Sequence, residues 1–316
     1  MDSPPAGRIF VRNLSKSYGL VPAVHALNLE VMPGEIFGLL GLNGAGKTTT
    51  LECILGLRQP DAGTINLSGL DAVADPVRAR QQVGALLQSD SLPEMLTPRE
   101  ALRFFGSFYD RAAAPATLLE QFALTAKADA AFVSLSAGQQ QRLFLALALI
   151  NQPDVIILDE PTAGLDPRAR RDMHQLLKAL RSEGRAVLLS THHLDEAQQL
   201  CDRVGILHEG RLIAVDSPAG LLARAPAGPR IEFRTARTLD EKSVAALPGV
   251  ISLRPCGGRW QLATRDPSPM VGRLAQQLEA DGNGLLEITI QGPSLEDVFL
   301  ELTGRNWPSA ATELVP

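Results

Sequence analysis

The sequence predicts an α/β protein built on a buried parallel sheet, with a small α+β module after it. Three observations carry this reading. Runs such as Val155-Ile156-Ile157-Leu158 and Ala186-Val187-Leu188-Leu189 are apolar without alternation, as strands covered on both faces are. Helical periods separate these runs. The texture then breaks at Ala225-Pro226-Ala227-Gly228-Pro229, which reads as a linker. The expected division is therefore a domain over 1–225, an accessory domain over 226–305 and a disordered tail over 306–316.

The chain opens with a β layer over 8–14, 23–31 and 36–40, the third strand introduced by the Pro33-Gly34 turn. A helix follows over 47–57, and the apolar run 83–87 is a strand. Leu96-Thr97-Pro98-Arg99-Glu100 begins a helix that continues over 101–109, with Pro98 in the first turn, where its missing N–H is tolerated. The apolar helix 143–150 is stopped by Asn151, Gln152 and Pro153. Beyond the linker the pattern gives strand 230–235, helix 239–247, strands 250–254 and 259–263, helix 268–280, strand 284–290 and helix 294–303. That βαββαβ order is a split-βαβ, ferredoxin-like arrangement.

With 316 residues, 45% of them hydrophobic and 21% charged, the chain can bury a large core, and 4% aromatics make that core aliphatic. The run over 143–150 falls far short of the roughly 20 apolar residues that cross a bilayer. Met1-Asp2-Ser3-Pro4-Pro5 has neither the basic patch nor the apolar stretch of a secretion signal, so a cytoplasmic location is expected. Cys53, Cys201 and Cys256 stand apart without metal-ligand spacing and read as reduced packing residues. A net charge of -5 argues against a nucleic-acid partner, which requires a basic face.

Gly41-Leu42-Asn43-Gly44-Ala45-Gly46-Lys47-Thr48 is a complete G-x-x-x-x-G-K-[ST] loop between a strand and a helix. Its glycines let backbone N–H groups curl around phosphate oxygens, Lys47 brings a charge to them, and Thr48 offers a hydroxyl to Mg2+. Val155-Ile156-Ile157-Leu158-Asp159-Glu160 is a buried strand ending in two carboxylates. On a nucleotide, Asp159 would organise the metal and Glu160 would orient or deprotonate the attacking water. Taken alone, such a strand end fits solvated charges about as well. Leu135-Ser136-Ala137-Gly138-Gln139 precedes a helix that Ser136 can cap; its free N–H groups would make a second anion site, although capping alone accounts for the pattern equally well.

The loop at 41–48, the Leu-Ser-x-Gly-Gln stretch at 135–139 and the Asp-Glu strand, in this order and spacing, resemble the nucleotide-binding domain of the ABC ATPases over about residues 8–225. The resemblance implies a P-loop NTPase fold of ABC type with a helical subdomain, and ATP and Mg2+ as cofactors. It implies that Tyr18 stacks on adenine and that Gly41, Asn43, Gly44, Ala45, Gly46, Lys47, Thr48 and Thr49 hold the phosphates. Gln88 resembles the glutamine that reaches metal and water, joining Thr48 and Asp159 as a metal ligand; Glu160 and His192 resemble the catalytic glutamate and the switch histidine. His193 is a rival for the last role, but Thr191-His192-His193-Leu194-Asp195-Glu196-Ala197 aligns the first histidine. Asp166 resembles a residue at the dimer interface. Ser136, Gly138 and Gln139 resemble the signature that closes over ATP bound to a second copy, with Ala137 where the family usually has glycine, a change that bears on affinity rather than competence.

The resemblance further implies a homodimer working with an integral-membrane permease that docks on the region between Gln88 and Ser136, so the chain would be peripheral on the inner face of the cell membrane. The ending Gly292-Pro293-Ser294-Leu295-Glu296-Asp297-Val298-Phe299-Leu300-Glu301-Leu302-Thr303-Gly304 resembles the type-2, daunorubicin-resistance-like exporters. Read as pattern, Leu295, Val298, Phe299 and Leu302 are one apolar helix face. ABC ATPases of translation usually carry two cassettes and those of DNA repair insert coiled coils or zinc motifs, neither of which this sequence has; the stretch at 135–139 argues against a P-loop kinase.

Overall fold

The structure, a computed structural model, describes residues 8–88, 91–224, 229–304 and 307. It divides into two compact units between Pro218 and Ala219. The division precedes the breaker-rich stretch because the helix that ends at Ala223 groups almost entirely with the second unit. Residues 225–228 and the tail over 308–316 lie outside the described residues.

The first unit runs β1 Ile9–Tyr18, β2 Val21–Val31, β3 Ile36–Leu40, α1 Lys47–Ile54, β4 Ala62–Leu67, β5 Leu70–Asp71, α2 Pro76–Arg80 and β6 Val83–Leu86. It continues with α3 Pro98–Gly106, α4 Pro115–Gln121, α5 Ala137–Ala148, β7 Val155–Asp159, α6 Pro167–Ser182, β8 Ala186–Thr191, α7 Leu194–Leu200, β9 Arg203–His208 and β10 Arg211–Asp216. β1 outruns its expected end because it bulges rather than stops: Asn13 sits at φ 49 and the register shifts between Val11 and Leu14. α5 starts six residues earlier than its apolar run, because Ser136 caps it at the signature stretch. α3 begins at Pro98 with Thr97 and Glu100 forming a capping box.

β2-β1-β4-β5 form an antiparallel sheet, and β10-β9-β3-β8-β7-β6 form the larger one, parallel from β9 to β6. Every residue of β3, β7 and β8 is buried, as their unbroken apolar runs require. Val11, Leu29 and Ile65 of the first sheet share a core with Leu39, Ile157 and Leu188 of the second and with Leu51 and Ile54 of α1. At about 1.5–3 kcal/mol for each large side chain removed from water, this core fixes the layers.

The second unit contains α8 Pro218–Ala223, β11 Arg230–Thr235, α9 Glu241–Ala245, β12 Val250–Cys256, β13 Arg259–Thr264, α10 Pro267–Ala280, β14 Leu285–Gln291 and α11 Leu295–Thr303. Its sheet order β12-β13-β11-β14, with antiparallel neighbours, is the split-βαβ arrangement. Ile231, Phe233 and Leu262 pack on Met270, Leu274 and Leu278 of α10. On α11, Leu295, Val298 and Phe299 are buried, whereas Leu302, expected on the same face, is 46% exposed in the last turn. Among the described residues no helix is long and apolar enough to cross a membrane.

Candidate active site

The strands β3, β8 and β7 lie side by side and finish level, with Leu40 beside Thr191 and Asp159 beside Ser190. Whatever follows each strand is thereby delivered to one edge of the sheet.

After β3 the loop turns through Gly44 at φ 78 and Gly46 at φ 104, values that glycine adopts without strain. A β-carbon at Gly46 would stand 2.3 Å from the Ala23 carbonyl oxygen, and one at Gly41 would stand 2.7 Å from that of Leu207. Gly46 caps α1 without any side-chain hydrogen bond, leaving the first-turn N–H groups for an anion. Asn43 and Gly44 are exposed, Ala45 is buried and Thr49 half-buried on α1.

Lys47 is 5% exposed. Its Nζ donates to Gly41 O at 2.8 Å and to Leu42 O at 3.3 Å, and lies 3.5 Å from Glu160 Oε1. Thr48 Oγ1 donates to Asp159 Oδ2 at 2.9 Å, and Ser190 Oγ donates to Asp159 Oδ1. Glu160 sits at φ 50, an uncommon conformation for a side-chain-bearing residue, held there as its N–H donates to Ser190 Oγ at 3.0 Å and to Ser190 O at 3.2 Å.

The Glu160 carboxylate then meets His192 Nδ1 at 3.0 Å and accepts from Gln88 Nε2 at 3.4 Å. The close approach of His192 holds its pKa below the ordinary carboxylate range against the opposing effect of burial, with the charges of His192 and Lys47 adding to it. The geometry separates the two histidines. His193 precedes α7 as its N-cap, donates its backbone N–H to Thr191 Oγ1 at 3.0 Å and stacks on His192 with ring centroids 4.1 Å apart. Burial, then the neighbouring His192 charge, lowers the His193 pKa.

The remaining expected residues sit elsewhere. Ser136 and Gln139 form a capping box: Ser136 Oγ accepts from Gln139 N at 3.3 Å and Gln139 Oε1 accepts from Ser136 N at 3.0 Å. A β-carbon on Gly138 would lie 3.0 Å from Ala169 Cβ, so this glycine lets the start of α5 approach the start of α6. Asp166 caps α6, accepting from the N–H groups of Arg168 at 2.8 Å and Ala169 at 2.9 Å. Tyr18, at the end of β1, is 44% exposed, with the Arg58 guanidinium 5.3 Å from its ring centroid and Arg58 paired with Glu52.

Sequence reasoning missed Ser190 and the buried group of Thr162, His174, Thr191 and Glu196. The available signals were two hydroxyls closing one end of an apolar run and an acid in the first turn of a helix with a buried face. Nor did it find the groove over Leu55, Leu57, Phe105, Tyr109, Phe144 and Leu147, near which Phe104 and Phe108 lie 56% and 60% exposed on or just after α3.

Comparison with known proteins shows the family of the chain. The family profile described as ABC transporter matches residues 24–163. The Nod factor export ATP-binding protein I of Burkholderia lata is 42% identical over 309 residues, covering 95% of this chain and 98% of that protein. Its namesake from Ralstonia nicotianae is 39% identical over 300 residues, covering 93% of each. Among solved structures, an ATP-binding subunit of an ABC transporter aligns with TM-score 0.62 at 31% identity, covering 68% of this chain and 92% of the other. A bacterial ABC transporter cassette in a dimeric post-hydrolysis state with ADP and Pi aligns with TM-score 0.61 at 27% identity, covering 66% of this chain and 98% of the other.

Proposed function

The chain belongs to the ATP-binding proteins of the ABC transporter family, and from that premise we propose that it hydrolyses ATP between two copies of itself to drive export through a separate membrane permease. The observation that carries this reading is the convergence of Lys47, Asp159, Glu160 and His192 at the level ends of β3, β7 and β8.

The phosphates lie along the N–H groups of the loop at 41–48, and a phosphate oxygen replaces Glu160 as the partner of Lys47. Glu160, freed from the ammonium and already a carboxylate at neutral pH, accepts a proton from the attacking water, with His192 holding one of its oxygens. The Thr48 hydroxyl and the Asp159 carboxylate, 2.9 Å apart, are hard oxygen donors of the kind Mg2+ takes, and Gln88, which donates to Glu160 at 3.4 Å, would join them as a ligand. When bound, that ion neutralises charge on the phosphates. Tyr18 offers its exposed ring to adenine.

Ser136, Gly138, Gln139 and Asp166 serve the ATP of a second copy, and the dimeric cassettes among the similar structures support that arrangement. Permease docking falls to the groove flanked by α3 and α5, whose exposed aromatic rings suit a helix of the partner. The names of the relatives support export as the direction. The assignment of 1–225 as the motor and 226–305 as an accessory module is part of the proposal, as is a peripheral position at the inner face of the membrane.

The test is the Glu160→Gln variant, which keeps the shape of the site and removes the base. It should bind ATP and migrate on sizing as a dimer when ATP is present and as a monomer without it. A variant that binds ATP yet stays monomeric breaks the two-copy model.

A further inference from the structure

Glu196 takes no part in the steps above, yet it is one of the most deeply buried charged groups in the first unit, at 3% exposure. A carboxylate removed from water is costly unless hydrogen bonds replace its hydration. Here three elements supply them. Thr162 Oγ1 donates to Oε1 at 2.7 Å from the turn after β7, and Thr191 Oγ1 donates to Oε2 at 2.5 Å from the last residue of β8. His174 Nε2 on α6 lies 3.2 Å from Oε1 and, facing an acceptor-only carboxylate, is its protonated nitrogen. Burial pushes the Glu196 pKa up, and the hydrogen bonds from His174, Thr191 and Thr162 outweigh it and hold it low.

The two hydroxyls it holds flank the reacting groups. Thr162 follows Glu160 by two residues and begins the turn toward Asp166, with Leu165 N donating to Thr162 O at 3.2 Å. Thr191 immediately precedes His192, and its Oγ1 also receives the His193 N–H at 3.0 Å, which fixes the direction in which the chain leaves β8. His192 meets Glu160 at 3.0 Å, so both partners of that contact hang from segments tied to one carboxylate.

We propose that Glu196 is a positioning residue for ATP hydrolysis, holding the His192 segment and the 161–166 turn in a fixed relation so that His192 stays on Glu160. This rests on the ATPase reading. A hydrogen-bonded carboxylate suits the task better than an apolar contact, because its acceptor directions fix distance and angle at both hydroxyls.

The experiment uses the full-length chain and follows steady-state ATP hydrolysis, with every rate normalised to the folded fraction from a thermal melt. Thr191→Val keeps volume and branching while removing the hydroxyl. It should lower kcat by about 10-fold or more while KM for ATP moves by less than about 3-fold, the split expected when positioning rather than binding is lost. Glu196→Gln, which retains an acceptor for Thr162 and His174, should keep more of the rate than Glu196→Ala at equal folded fraction. In a His192→Ala background, followed by single turnover, Thr191→Val should cost nothing further, because it acts through the absent ring. Rates that fall only in proportion to folded protein, or a Thr191→Val loss that multiplies undiminished onto His192→Ala, overturn the proposal. A wild-type chain that hydrolyses no ATP overturns the ATPase reading and this proposal together; an active wild type indistinguishable from Thr191→Val sinks this proposal alone.

Discussion

Lys47, Thr48, Gln88, Asp159, Glu160 and His192 arrive from four separate segments and satisfy one another across the sheet edge. Ser136, Gln139 and Asp166 instead cap the helices they begin, and Gly138 clears space for a neighbouring helix. The first group forms two adjoining polar clusters within one chain, Thr48 with Asp159 and Lys47, Gln88 and His192 with Glu160. The second is a surface whose polar groups have local uses and whose helix start faces outward for something else. A site in which Lys47 already has a carboxylate partner needs a ligand that competes with Glu160 for it, whereas a capped helix needs only to be brought near an anion.

The sharpest way to break this contrast is Lys47→Ala. Losing the ammonium should weaken ATP binding by at least about 100-fold, measured by calorimetry, and abolish turnover. Retained ATPase activity would remove the central assignment. Next in size is a mixing experiment. Ser136→Arg blocks the signature surface and Lys47→Ala empties the phosphate half, so each protein alone should be inactive. Mixed, they should recover part of the wild-type rate, because a mixed dimer holds one intact composite site. Two inactive proteins that stay inactive when mixed would place both halves in service of the same chain's nucleotide.

Ser136→Ala gives a smaller effect. It removes one cap, worth about 1 kcal/mol of stability, and should lower turnover far less than Lys47→Ala does. A melt unchanged by the substitution would show that the capping box adds nothing. The smallest effect lies on the acid side. The close approach of His192 keeps the folded-state pKa of Glu160 below the unfolded value of about 4.3. Its contribution to stability is therefore present above that value and is lost as pH falls through the depressed folded pKa. Denaturant titrations from pH 6 to pH 3 should show a shallower loss for Glu160→Gln than for the wild type, and equal slopes would contradict the coupling.

The strand ends were legible because each was a short apolar run closed by a glycine or a polar residue, and burial on both faces leaves such a run few other places to go. The phosphate loop was legible from its glycines, two of which take backbone angles that other residues adopt only with strain. The second unit followed the same logic, since alternation along Arg230–Thr235 and Arg259–Thr264 marks strands with one covered face. What stayed hidden depended on separations that spacing does not encode. Thr162, His174, Thr191 and Glu196 meet only when α6, α7 and two strand ends are packed together, and each reads in the chain as an ordinary polar residue. Ser190 looked like the close of β8, yet it bridges to Asp159 and to the Glu160 backbone. The extension of β1 beyond Leu14 was concealed by a bulge, which breaks the alternation without ending the strand.

The near-level finish of the three central strands also sets where a change in chain length would reach the site. An insertion in the stretch that follows α1 would lie outside these strands and leave the pairing of Leu40, Thr191 and Asp159 as it is. A single deletion inside Val155–Asp159 is different, because side chains alternate across a strand. It would leave Leu158 facing where Asp159 faced, or else draw Glu160 into the ladder, and either outcome erases the chemistry while conserving nearly every residue. A one-residue shift in any of these three short strands would therefore disturb more of the site at once than a single substitution within them.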